Sequence, residues 1–164
     1  MADKFNKFTN EQISALRLLY DKGLIMPLLM VLYTTIDILG YVTGFGFITF
    51  VKKYMQEDLE EITPRDLWGG RCAILHTGSP KSEHSEKGKA RQIMYSWGKA
   101  DFNVLKKIIN DSQKRKCLVG IKLETLINSL IFGIQRLKKE IKTNTNLYRV
   151  CSKKIKEFYC DNRV

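Results

Sequence analysis

Histidine is nearly missing from this chain of 164 residues: His76 and His84 are the only two. The four cysteines, Cys72, Cys117, Cys151 and Cys160, form no C-x-x-C pair. Together these leave no ligand spacing for zinc, so no metal site is expected. The phosphate-cradling G-x-x-x-x-G-K-S/T loop, the dinucleotide fingerprint G-x-G-x-x-G and the nucleophile elbow G-x-S-x-G are absent too. No other cofactor is therefore implied. Proline is rare, at three residues, and no low-complexity run marks a linker. Apolar residues make up 44% and charged residues 27%, which excludes a disordered or collagen-like chain. The chain reads as one domain, residues 1–164. The polar stretch Met1 to Asn10 has no secretory pattern, and unpaired thiols suit a reducing, cytoplasmic setting.

Charge is scarce in one segment. From Leu24 to Val51, Asp37 is the only charged residue. A membrane span is disfavoured on three counts. Asp37 at its middle costs about 2.5–3.5 kcal/mol in a bilayer. Gly40, Gly44 and Gly46 interrupt the run, and its unbroken apolar piece, Leu24 to Thr35, is shorter than the ~20 residues a span needs. No stable membrane insertion is expected; a helix apolar all round belongs in a core.

Negative charge is short elsewhere. Lys and Arg number 28 against 17 Asp and Glu, a net charge of +11. The excess lies in residues 81–164, which hold 20 basic and 8 acidic side chains. Such a balance suits a polyanion, nucleic acid or an anionic membrane surface, and equally a solubilising lysine-rich face.

Spacing of apolar residues predicts a mainly α protein, a single-domain helical bundle of five or six helices with a small two-stranded antiparallel sheet. Thr9 or Asn10 caps a first helix that runs to about Asp21 and ends at Gly23. A second covers about Leu24 to Val42, with Pro27 in its first turn. A third spans about Phe47 to Gln56, and a fourth runs from Pro64, capped by Thr63, to about His76. Lys81 to Gly88 reads as a surface loop. Alternation at Ile93, Tyr95 and Trp97 and at Cys117, Val119 and Ile121 predicts the two strands. Leu123 to Lys142 carries the clearest helical stripe, and the tail from Leu147 to Phe158 repeats it.

Chemistry concentrates at Arg71-Cys72-Ala73-Ile74-Leu75-His76, which follows Gly69-Gly70. Residues five apart on an α-helix point about 140° apart, yet Arg is long and His76 lies at a helix end. Both can reach one groove. Neutral imidazole can take the proton of a ribose 2′-hydroxyl, and guanidinium can hold the phosphoryl oxygens as charge builds on them. Glycine at 69 and 70 leaves room for a phosphate or another backbone. Asp37 needs a partner inside an apolar helix, and Arg71 is the first choice.

Arg-x4-His in a helical domain resembles the motif of the HEPN superfamily. That resemblance implies a helical bundle, a metal-independent endoribonuclease leaving 2′,3′-cyclic phosphate ends, and a homodimer with two motifs facing one cleft. A role as toxin or defence protein, with an antitoxin protein as partner, is implied in the same way. Tyr33-Thr34-Thr35-Ile36-Asp37, Asp66-Leu67-Trp68-Gly69-Gly70-Arg71-Cys72, Leu75-His76-Thr77 and Ala90-Arg91 through Tyr95-Ser96-Trp97 also look like a family of uncharacterised bacterial proteins, which supports reading one intact domain.

The catalytic candidates are thus Arg71, His76 and Asp37. Thr77, Ser79, Ser82, Lys138, Lys139 and Lys153 are the candidate RNA contacts, with Tyr95 and Trp97 as stacking platforms. Structural alternatives stand beside them. Arg71 can serve as an ion-pair partner of Asp66 or Asp37, His76 as a helix cap, and the aromatics as core. Cys72 and His76, at i and i+4, form a second pair, a thiol with its base. A non-catalytic RNA- or partner-binding scaffold is the competing reading.

Overall fold

The computed structural model describes residues 2–78 and 81–158; of residues 2, 3, 77 and 158 only the backbone is described. Eight α-helices and two strands lie among the described residues. Helix α1, Ala2–Asp21, starts well before the expected cap. Thr9 is fully buried and donates its hydroxyl to the Phe5 carbonyl at 2.9 Å, so it sits inside the helix and caps nothing. Phe5, Phe8 and Leu16 supply the inward face that draws the earlier residues into the helix.

Helix α2, Ile25–Thr43, has Pro27 in its first turn and ends at Gly44 in the left-handed conformation (φ 78°). Side chains avoid that region, and glycine enters it without strain. Helix α3, Gly46–Tyr54, folds straight back. It comes so close that a Cβ on Gly40 would lie 2.7 Å from the backbone of Gly46. Helix α4, Pro64–Cys72, is followed by a π-helical turn, Ala73–Thr77. The polar stretch expected as a loop contains a short helix, α5, Glu83–Glu86.

The two strands, β1 at Gln92–Ser96 and β2 at Leu118–Lys122, pair in parallel, with Ile93 opposite Val119 and Tyr95 opposite Ile121. The expected antiparallel pairing is therefore corrected. Its physical cause is helix α6, Phe102–Asp111, capped by Asp101. Parallel strands need a crossover, and a helix is the usual one. Helix α7, Leu123–Thr143, and helix α8, Thr145–Phe158, complete the chain. The expected five or six helices become eight: α5 forms where a surface loop is expected, and α6 forms in a segment to which no element is assigned from the sequence.

Helix α2 lies at the centre, packed by α1, α3, α7 and α8. Leu28, Leu32, Tyr33, Ile36, Leu39 and Val42 of α2 are fully buried, as are Leu123, Leu126, Leu130 and Leu137 of α7. Each such aliphatic side chain contributes about 1.5–3 kcal/mol. Among the described residues α2 is the one helix long and apolar enough to cross a membrane, and half of that stretch is buried inside the protein.

Candidate active site

Helix α4 is aimed by its N-terminus. Thr63 and Asp66 form a capping box, Thr63 Oγ1 accepting from the Asp66 N–H while Asp66 Oδ2 accepts from the Thr63 N–H at 3.0 Å. Asp66 is buried and also accepts from the Arg91 backbone N–H and guanidinium, both at 2.7 Å. Burial alone would raise its pKa; Arg91 and the backbone N–H groups of Thr63 and Arg91 overcome this and hold it below the ordinary value of 3.8. The start of β1 is thus tied to the start of α4. Asp66 is taken, which leaves Arg71 for Asp37.

Arg71 bridges the other two catalytic candidates. Its Nε donates to Asp37 Oδ2 at 2.7 Å, and Nη2 lies 2.7 Å from the same oxygen. Its remaining terminal nitrogen, Nη1, is 2.7 Å from His76 Nε2. Guanidinium has no lone pair to offer, so in this contact Arg71 donates and His76 Nε2 accepts. Burial opposes the charge on Arg71, and Asp37 outweighs it, so Arg71 titrates above its ordinary value. Its side chain is only 20% exposed and that of Asp37 27%, whereas His76 is open to solvent.

Winding explains how Arg71 and His76 meet. An α-helix would separate them by about 140°. A π turn closes on residue i+5 instead of i+4, and Ala73–Thr77 takes that form. The wider turn brings His76 back toward the face that carries Arg71. Gly78, left-handed at φ 58°, then ends the segment.

Trp68 completes the site and was not singled out from the sequence. Its ring lies 5.1 Å from the Arg71 guanidinium carbon, a cation–π contact. It is itself fixed edge-on by Phe47 at 5.3 Å and meets the half-buried His84 ring at 6.5 Å. The signal was available: Trp68 and Arg71 are i and i+3 on one helix.

Both glycines before the motif serve internal packing. A Cβ on Gly70 would sit 2.5 Å from the Tyr33 hydroxyl, and one on Gly69 would sit 2.9 Å from the Ala90 side chain. The room expected for a phosphate is occupied by α2 and by the approach to β1. Tyr33 and Tyr95 share a hydrogen bond of 2.5 Å, and burial raises the pKa of both hydroxyls. Tyr95 is partly buried and packs against the core, while Trp97 is 46% exposed.

The candidate RNA contacts scatter. Ser82 is buried, and its hydroxyl accepts from the Ser85 N–H as the cap of α5. Thr77 closes the π turn with its side chain undescribed, and Ser79 lies outside the described residues. Lys139 and Lys153 are exposed on α7 and α8, whereas Lys138 is half-buried beside Phe5 and Tyr148. Cys72 is half-buried, Cys117 exposed and Cys151 buried, its thiol pushed up to about 11 by burial. Cys160 lies outside the described residues. No group of three or more potential metal ligands occurs among the described residues. Comparison with known protein families, with curated proteins and with solved structures finds no match for this chain.

Proposed function

We propose that the protein is a metal-independent endoribonuclease of HEPN type, with Arg71 and His76 as its catalytic residues and Asp37 positioning Arg71. The supporting observation is the continuous Asp37–Arg71–His76 chain of hydrogen bonds, which ends on an exposed imidazole. An incoming phosphodiester competes for the Arg71 fork, whose geometry matches two phosphoryl oxygens. Withdrawal of Nη1 frees the lone pair on His76 Nε2. That nitrogen takes the 2′-hydroxyl proton, the 2′-oxygen attacks phosphorus, and the P–O5′ bond breaks. The products are a 2′,3′-cyclic phosphate and a 5′-hydroxyl that collects its proton from solvent or from a second acid. A second copy facing the first would supply that acid from its own His76, in line with the homodimer that the resemblance implies. Exposed Lys139 and Lys153 would hold the RNA backbone.

The same chain of bonds favours a second reading, a non-catalytic scaffold. Arg71 already occupies the lone pair that a base would use, and an ion pair on Trp68 can be purely structural. One assay separates the two: RNA incubated with protein in EDTA, wild type against His76→Ala and Arg71→Ala. The enzyme reading expects cyclic phosphate ends from wild type and a loss of about 10²–10⁴-fold in each variant, with folding intact by circular dichroism. A folded wild type that leaves structured and unstructured RNAs uncut makes the protein a scaffold.

A further inference from the structure

Helices α1, α7 and α8 leave a cavity of about 420 Å³ where the first turn of α1 meets the end of α7 and the start of α8. That volume is in the ~300–1,000 Å³ range of small-molecule sites. Phe5 and Ile141 form apolar wall and are almost fully buried, while Tyr148 presents a ring that is 45% exposed. Asn6 and Thr145 stand at the rim. Two cations face this apolar space, Lys138 and Lys142. They are i and i+4 on α7 and share one side of it.

Neither lysine makes a hydrogen bond or ion pair with any described residue, unlike others nearby. Lys53 is held by Glu140 at 2.6 Å, and Lys154 reaches the Tyr41 carbonyl at 2.8 Å. Surface lysines ordinarily lay the stem on apolar surface and keep the ammonium in water. Lys138 is half-buried, and burial with no opposing carboxylate pushes its pKa below the ordinary lysine value. A partly desolvated ammonium without an anion is a destabilised group. A ligand bringing a carboxylate would relieve it, and an apolar body would cover Phe5, Ile141 and Tyr148.

We propose that this cavity binds a small amphipathic carboxylate, its acid group between Lys138 and Lys142 and its hydrocarbon body against Phe5, Ile141 and Tyr148. The inner wall, Phe5 and Ile141, is apolar and almost fully buried, which suits a hydrocarbon body; a ribose–phosphate track needs polar surroundings. The site uses none of the residues of the Asp37–Arg71–His76 chain and stands whether or not the protein cuts RNA.

Isothermal titration with decanoate, and with decylammonium as the same chain bearing the opposite charge, tests the proposal on the whole 164-residue chain. Wild type is expected to bind decanoate one-to-one and at least about tenfold tighter than decylammonium. Lys138→Met combined with Lys142→Met keeps the stems, removes both charges and is expected to weaken decanoate at least about tenfold. The Lys138 Nζ resonance in wild type gives a second readout that needs no variant: decanoate should shift it to saturation at one equivalent. Equal affinity for the two amphiphiles, an unchanged affinity in the double variant, or a Lys138 signal moved by a short RNA and not by decanoate would each overturn the assignment.

Discussion

At the scale of single residues, Asp66 is the most heavily used side chain. It closes the capping box of α4 and accepts from Arg91, so one carboxylate fixes both a helix start and a strand start. Its folded pKa lies below the ordinary 3.8. Above that value the charged form contributes its full stability; as pH falls through the folded value, protonation removes the contribution. Asp66→Ala should therefore cost about 3 kcal/mol near neutral pH, from lost charged hydrogen bonds and a lost cap. The gap between variant and wild type should narrow as pH falls below about 4. Urea unfolding at pH 7 and pH 3 checks both statements; a gap that stays constant would show that the carboxylate charge is irrelevant. The capping role of Thr63 and Pro64 was legible from their order in the sequence. The partner of Asp66 was not, because Arg91 lies 25 positions away and only the path through α5 brings it back.

Among the elements, α4 is pressed between α2 and β1, and Gly70 marks the tightest point. Its missing side chain is replaced by the Tyr33 hydroxyl, which in turn bonds Tyr95 of β1. Gly70→Ala should destabilise by about 1–3 kcal/mol through overpacking. Tyr33→Phe should cost a similar amount by stranding the Tyr95 hydroxyl. Together they should cost at least about 0.5 kcal/mol less than the sum, because removing the Tyr33 oxygen relieves the clash. Denaturant midpoints of the three variants measure the coupling, and strict additivity would contradict the geometry. Helical periods at α2 and α7 are strong enough to be read directly from apolar spacing. The crossover helix α6 shows the same signal in Val104, Leu105, Ile108 and Ile109. The direction of the sheet turns on this segment, since a short return implies a hairpin and a helix implies a crossover.

Across the whole molecule, positive charge and the site occupy different elements. The Asp37–Arg71–His76 chain sits on α2, α4 and the π turn, while the exposed Lys139 and Lys153 lie on α7 and α8. If both lysines touch RNA phosphates, affinity falls with salt, and each contact adds about 0.7 to the slope of log K against log salt concentration. Lys139→Ala with Lys153→Ala should then lower that slope by about 1.4. Filter binding of a single-stranded RNA at several salt concentrations reads it. An unchanged slope would leave these lysines as a solvated face.

Apolar spacing, helix caps and the lone charge at Asp37 were enough to specify a helical domain and its central helix, and to make Arg71 the first choice of partner for Asp37, with Asp66 as the competing carboxylate. These are local or nearly local rules: a period of 3.6 residues, a hydrogen bond three residues away, the cost of an unpaired buried charge. Strand direction, the grip of Arg91 on Asp66 and the filling of the Gly69–Gly70 space depended on where distant segments came to rest. The meeting of Arg71 with His76 belongs to the same class. In a regular α-helix they diverge, and the π turn that unites them leaves no mark in residue order, because helix winding is decided by what packs against it.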